Sequence, residues 1–292
     1  MDVPQLKTRG LDSHKGTFGR ALIVGGSRGM TGAPALAGMA ALRSGAGLVT
    51  VAVPDRCLEV VASFDPCYMT VPLPDDEFGR VSSAASEGLR GLSYRASSVG
   101  IGPGMSQSDG VRQVVADLYE RYREPMVVDA DALNVLASRS DGLPVAVGPR
   151  ILTPHVGEFR RLIGEPDLSP AACRQAARQF AEQHEVIIVL KGHQTLVTDG
   201  SDEFQNTTGN PGMATGGSGD VLTGVITALA GQGYTPMEAT VLAVHVHGLA
   251  GDIARDRIGE TSLTAAHIAS HLGDAFQAIP RQTGQKRGLM GF

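Results

Sequence analysis

At 292 residues, 42% of them apolar and 19% charged, the chain has room for one large α/β domain or two small ones, with ample material for a core. A formal charge of −5 lacks the basic footprint of a nucleic-acid binder. Aromatics at 4%, with no Trp, leave no platform for stacking bases.

In chain order, the opening "MDVPQLKTRGLDSHKG" is too polar for a signal peptide, and nothing after it approaches the roughly 20 apolar residues of a membrane span. Short β-branched runs recur at 21–25, 48–53, 97–101, 126–129, 151–153 and 186–190. Most are continuously apolar, as parallel strands covered on both faces are. Helical patterns alternate with them at 33–45, 109–122 and 170–184, and the last third is helical at 219–231, 235–254 and 261–278. This alternation predicts an α/β fold of three layers, a mainly parallel central sheet with helices on both faces. No linker, repeat or low-complexity stretch divides it, so residues 1–292 are expected to form a single domain with a frayed tail at 281–292. Cys57, Cys67 and Cys173 are widely spaced and form no CxxC pair, which fits a reducing cytoplasm and offers no zinc pattern.

Ligands of an open parallel sheet bind beyond the carboxyl ends of its strands. Those ends read "GGSRG" (25–29), "GPG" (102–104), "DADALN" (129–134), "TPHVGE" (153–158) and "KGHQT" (191–195), each rich in glycine, ionisable residues or hydroxyls. Asp131 is expected to cap the helix that follows it, and Asp129 to orient a water on Mg²⁺, an ion that prefers oxygen ligands and retains water. Thr153 is expected to cap the next helix, with Pro154 at its first position and His155 facing a ligand. Lys191 stands at the mouth of the strand "VIIVL", and Gly192 beside it permits the close approach of a phosphate. His245 and His247 in "VHVHG" point to different sides of a helix, so they are read as core packing rather than a metal pair.

The densest signal is "TTGNPGMATGGSGDVLTGVITALAG" (207–231). It is no Walker A loop, which needs G-x-x-x-x-G-K-S/T. It is no dinucleotide fingerprint either, since Leu222 stands where the third glycine belongs. The bland reading is a glycine-rich connection with Asp220 as helix N-cap. Yet Gly212, Gly216, Gly217 and Gly219 exceed what a cap needs, and Ser218 is able to cap instead. Asp220 is then free to act as a base on a ligand in the loop. The helix start beside it offers unpaired amides and a positive dipole end, which is an anion site.

These pieces, in this order, resemble the ADP- or ATP-dependent NAD(P)H-hydrate dehydratases of the ribokinase-like superfamily. The resemblance rests on "SHKGTFGRALIVGGS", "GAPALAGMAALRSGAGLV", "IGPG", "VVDADALN", "ILTPHVGEFRRL", "VLKGHQTLV" and "TTGNPGMATGGSGDVLTG", and runs from about residue 13 to about residue 250. G-x-G-D alone is shared with many sugar and vitamin kinases; the "KGHQT" and "TTGNPGMATGGSGD" segments are much closer to the dehydratases. The resemblance implies repair of NAD(P)H hydrate, in which water has added across a ring double bond, coupled to cleavage of ADP to AMP and phosphate, or of ATP in other members, with Mg²⁺.

By the same resemblance, Asp220 is the base. The amides of Gly216, Gly217, Ser218 and Gly219 form an anion hole. Lys191, Gly192, His193, Gln194, Thr195 and Gly219 bind the adenine nucleotide, and Ala33, Gly104, His155 and Asp220 bind the hydrated dinucleotide. Pro34 replaces the commoner small or apolar residue beside that site. The resemblance also implies a homotetramer and a separate epimerase, since the motif begins too near residue 1 for an epimerase domain in front. Two other classes compete: a vitamin or sugar kinase of the same fold, and a nucleotide sensor without catalysis. A sensor needs the glycines but not Asp220.

Overall fold

The apolar runs become strands because each is buried on both faces. In β1 (Arg20–Val24), Leu22 and Val24 enter one layer while Ala21 and Ile23 enter the other, and all four are buried. The computed structural model describes residues 1–282. β2 (Leu48–Pro54), β3 (Met69–Leu73), β4 (Ser98–Ile101), β5 (Met126–Val128), β6 (Arg150–Leu152) and β7 (Ile187–Leu190) join β1 in parallel. β8 (Leu196–Thr198) and β9 (Glu203–Gln205) add antiparallel, giving the order β3-β2-β1-β4-β5-β6-β7-β8-β9. The chain winds outward from β1 to β3, then returns to place β4 on the other side of β1. That reversal is a topological switch point, where open α/β sheets bind ligands.

Helices α1 (Gly32–Arg43) and α2 (Leu58–Ala62) lie on one face of the sheet. The opposite face carries α3 (Ala85–Ser93), α4 (Asp109–Arg121), α5 (Ala130–Ala137), α6 (Val156–Ile163) and α7 (Pro170–His184). The last three, α8 (Ser218–Gly231), α9 (Pro236–Ile258) and α10 (Ala265–Ala278), return to the face of α1. The three-layer parallel architecture read from the sequence is therefore the one present. Among the described residues no helix is long and apolar enough to cross a membrane.

Several elements depart from the sequence reading. β3 is an edge strand with Pro72 in it and half-exposed residues, and β8 and β9 have three residues each, so none carries an apolar run. The tail expected to fray is held at its start: Arg281 bridges Leu6, and the Gln282 amide donates to the Leu6 carbonyl at 2.8 Å. The rest of that expectation, residues 283–292, lies outside the described residues.

Close approaches fix the layers. A Cβ at Gly100 of β4 would lie 2.5 Å from Thr227 Oγ1, so α8 packs directly on the strand. Gly102, just past β4, has φ +122°, and a Cβ there would stand 1.8 Å from the Asp129 carbonyl oxygen. Gly102→Ala combines left-handed backbone strain with an overlap that only movement of Asp129 relieves. It should cost about 3–5 kcal/mol in urea unfolding. A loss under about 1 kcal/mol would mean that the strand end yields freely.

Candidate active site

At the carboxyl end of β5 the Asp129 carboxylate is almost fully buried, yet it does not cap α5. Three donors from three elements reach it instead. Thr153 Oγ1 after β6 and Lys191 Nζ after β7 each lie 2.8 Å from Oδ1, and Thr223 Oγ1 of α8 lies 2.8 Å from Oδ2. The Lys191 ammonium also stands 3.8 Å from Glu158 Oε2 of α6. Burial by itself would lower the Lys191 pKa, but Asp129, Glu158 and Asp220 outweigh it and raise the value, so Lys191 is a fixed cation.

Asp220 occupies the first turn of α8. The N-cap position belongs to Gly217, at φ 90°, with no side-chain capping bond. The sequence reading of Ser218 as cap is thus corrected: a residue with positive φ is needed there, and only glycine adopts it cheaply. Burial, the Asp129 carboxylate and the more distant Asp131 push the Asp220 carboxyl up to about 7, against the opposing pull of Lys191. Lys191 Nζ would be 3.3 Å from a Cβ at Gly219, so this glycine admits the lysine beneath the loop. On the other flank, a Cβ at Gly217 would strike Leu36 of α1 at 2.6 Å.

The amides of Gly216, Gly217, Gly219 and Asp220 have no acceptor among the described residues, whereas the Ser218 amide donates to the Thr215 carbonyl at 3.3 Å. Of the four amides expected in an anion hole, Ser218 is the exception. Asp220 supplies a further free amide in its place.

Two more caps are corrected. Asp131 does not cap α5; its Oδ2 accepts the Ser106 amide at 2.7 Å, which ties the β4 loop to α5. Thr153 does not cap α6, because its hydroxyl serves Asp129. His155 caps instead, its Nδ1 accepting the amides of Gly157 at 2.9 Å and Glu158 at 3.2 Å, while Glu158 Oε2 accepts the His155 amide at 2.8 Å. With Nδ1 accepting, the ring proton sits on Nε2 of a half-exposed side chain.

Ala33 and Gly104 meet at the switch point, where a Cβ at Gly104 would lie 3.2 Å from Ala33 Cβ. Pro34 packs there too, against Gly25 and Gly26. His155, grouped with Ala33 and Gly104 by the resemblance, sits beside Lys191, to which it is bridged. The 192–195 turn opens outward. Gly192, His193 and Gln194 are exposed, Thr195 Oγ1 donates to the Gly192 carbonyl at 3.0 Å, and Gln194 has φ 56°. No cluster of metal-ligating side chains occurs among the described residues. Nor does Asp129 fit a direct metal ligand, since the Lys191 ammonium at 2.8 Å would repel a dication.

The family model described as NAD(P)H-hydrate dehydratase matches residues 21–273. The chain belongs to the NAD(P)H-hydrate dehydratase family. A bifunctional NAD(P)H-hydrate repair enzyme of Moorella thermoacetica is 42% identical, covering 92% of this chain and 51% of its own length. An ADP-dependent (S)-NAD(P)H-hydrate dehydratase of Neisseria meningitidis is 38% identical, covering 90% of this chain and 86% of its own. The crystal structure of an ADP/ATP-dependent NAD(P)H-hydrate dehydratase from Bacillus subtilis, co-crystallised with ATP/Mg²⁺, superposes with a TM-score of 0.80 at 31% identity over 94% of each chain. The fold is ribokinase-like. The chain spans about half the length of the bifunctional relatives it matches.

For this NAD(P)H-hydrate dehydratase family member, the sequence reading missed Thr223 and Glu158 as partners of the Asp129–Lys191 pair, and it left His247 in the core. His247 is buried, but its Nε2 lies 3.0 Å from the Ser218 carbonyl oxygen.

The raised Asp220 pKa makes a signed prediction. An acid at about 7 when folded and 3.8 in its ordinary state costs nothing below the lower value and destabilises progressively as pH rises towards 7. Asp220→Asn should therefore match wild type in thermal stability at about pH 4 and exceed it by roughly 1–3 kcal/mol above about pH 7. Lower stability at high pH would restore the capping role.

Proposed function

We propose that the protein is an ADP-dependent (6S)-NAD(P)H-hydrate dehydratase, converting NAD(P)H hydrate to NAD(P)H as ADP is cleaved to AMP and phosphate. The observation that carries this reading is Asp220. It is a partly buried carboxyl with a pKa near 7, in the first turn of α8, among amides with no protein acceptor, in a chain of this family. Water leaves badly as hydroxide, and phosphate leaves well. Asp220 would take the proton from the hydroxyl of the hydrate as that oxygen attacks the terminal phosphorus of the nucleotide. The new P–O bond forms as the bond to the AMP oxygen breaks. The nitrogen lone pair of the ring then expels phosphate, and loss of a ring proton restores the double bond.

In phosphoryl transfer the protein contributes mainly position and charge stabilisation. The amides of Gly216, Gly217, Gly219 and Asp220 would face the transferring group at the positive end of α8, with the Lys191 cation beside them. Ala33 and Gly104 at the switch point would contact the hydrated dinucleotide, and the exposed 192–195 turn the adenine nucleotide. His155, half-exposed next to Lys191, would donate from Nε2 to the hydrated dinucleotide. Mg²⁺, an ion that prefers oxygen ligands, would neutralise charge on the nucleotide phosphates. The same family likeness supports a cytoplasmic homotetramer built of one ribokinase-like domain per chain, acting alongside an NAD(P)H-hydrate epimerase.

The test is to incubate the protein with NADH hydrate and Mg²⁺, with ADP, with ATP or with neither, and to separate the products by HPLC. NADH should return only with a nucleotide, accompanied by AMP and phosphate in the ADP arm. Equal return without nucleotide would overturn the coupled reaction, and phosphorylation of a vitamin alcohol instead would favour a kinase. Asp220→Asn should lower turnover by about 10²–10⁴-fold with nucleotide affinity near normal.

Because only the ionised carboxylate accepts a proton, kcat/KM should climb with pH and level off above about 7. Lys191 lowers the Asp220 pKa. Lys191→Met should therefore move this rising limb to higher pH, whereas a lysine that only contacted nucleotide would change KM and leave the limb in place.

A further inference from the structure

We infer that His247 is a positioning residue for the anion hole: it holds the Ser218–Gly219 peptide from behind, so that the Gly219 N–H faces the phosphoryl group. The inference rests on the functional reading above and adds a residue from α9, outside the glycine loop. His247 Nε2 lies 3.0 Å from the Ser218 carbonyl oxygen and 3.5 Å from Ser218 Oγ. A carbonyl oxygen only accepts, so Nε2 carries the proton and donates. Burial pushes the imidazole pKa down to about 4, with the Ser218 carbonyl acting the other way and Lys191 adding slightly to the fall. The ring is therefore neutral at physiological pH, and its tautomer is set by that carbonyl.

The peptide that receives this bond is the one that carries the Gly219 amide. It is planar and trans, as are all the described peptides, so its C=O and N–H point in opposite directions. Fixing the carbonyl towards α9 aims the Gly219 N–H the other way. Donation to the carbonyl also polarises the peptide and strengthens that N–H as a donor. The peptide lies in the first turn of α8, so the helix sets its general direction, and His247 adds a second restraint from the side at a turn that glycine loosens.

The remainder of the loop is strapped to the same helix. Thr208 Oγ1 donates to the His245 carbonyl at 2.8 Å, and Asp252 accepts the Gly209 amide at 2.8 Å and Asn210 Nδ2 at 3.0 Å. Gly248 lets them approach, since a Cβ there would lie 2.2 Å from Thr208 Oγ1. The straps at 245 and 252 hold the approach to the loop, while His247 grips one of the peptides whose amides face the reaction.

A matched pair of variants separates positioning from packing. Glutamine places an N–H about where Nε2 stands, whereas asparagine is equally polar but too short to reach Ser218. His247→Asn should lower kcat by about 10–10²-fold with KM for NADH hydrate within about 3-fold, because a misaimed donor fails mainly in the transition state. His247→Gln should stay within about 3-fold of wild type in both. Thermal melts of the two variants should agree. Equal losses in both variants, or losses that follow melting temperature, would overturn the inference.

A second readout needs no turnover. The Gly219 amide proton resonance of the ligand-free protein should move upfield in His247→Asn and remain in place in His247→Gln. An unmoved resonance in His247→Asn would overturn the positioning role. A wild-type protein without nucleotide-dependent dehydration would instead sink the functional reading and leave this resonance test standing.

Discussion

The site depends on one buried ion pair. A carboxylate as enclosed as Asp129 is unstable alone, and removing the partner of such a pair typically costs about 3–5 kcal/mol. Lys191 supplies the charge, and the hydroxyls of Thr153 and Thr223 supply the remaining hydrogen bonds. Each donor belongs to a different element, so satisfying a single carboxylate pins the ends of β6 and β7 and the start of α8 to the end of β5. Thr223 lies one helical turn after Asp220, on the same side of α8. Whatever fixes Thr223 therefore also fixes where the Asp220 carboxylate points.

The same pair explains the electrostatics. Lys191 stands among Asp129, Glu158 and Asp220, while Asp131 adds its charge against Asp220, so this cation does not balance the acids around it. Asp129 claims the ammonium at 2.8 Å, which leaves Asp220 partly buried and facing net negative charge. Its proton is held to about 7 in consequence. A base poised near neutrality is what proton transfer from a hydroxyl at cellular pH calls for. The arrangement that makes the enclosed Asp129 carboxylate tolerable thus leaves the neighbouring one titrating near neutrality, as the base role proposed for it requires.

Much of this was legible in the residues, and the failures share a cause. Continuous apolar runs announced β1, β2 and β4 to β7, and the residues after them did gather at one edge of the sheet. What misled was local inference about polar side chains. Asp131 and Thr153 both stand where a helix cap belongs, yet each is taken by a partner about 25 residues away, the Ser106 amide and the Asp129 carboxylate. Lys191 was placed correctly at the mouth of a strand, but its partner lies 62 residues back along the chain. The spacing of His245 and His247 directed them to different sides of a helix and said nothing about a carbonyl on the preceding helix. Periodicity reports which side of an element is buried; it does not report which polar group will be waiting there.

The glycines of the loop show how far composition goes once the neighbours are known. Four of them seemed too many for a turn. Gly212 is small because the Glu260 carbonyl would be 2.8 Å from a Cβ, Gly217 because of its positive φ and the Leu36 side chain, and Gly219 because Lys191 passes beneath it. Each of these three answers to the protein's own packing. Gly216 does not: nothing lies within 4 Å of where its Cβ would be, and its φ is not in the left-handed region. Open space alone assigns no ligand, since Gly32, Gly88, Gly91 and Gly273 are equally open. Gly216 differs from them in standing among the free amides of the loop, where, on the function proposed, a small residue leaves room for the phosphoryl group.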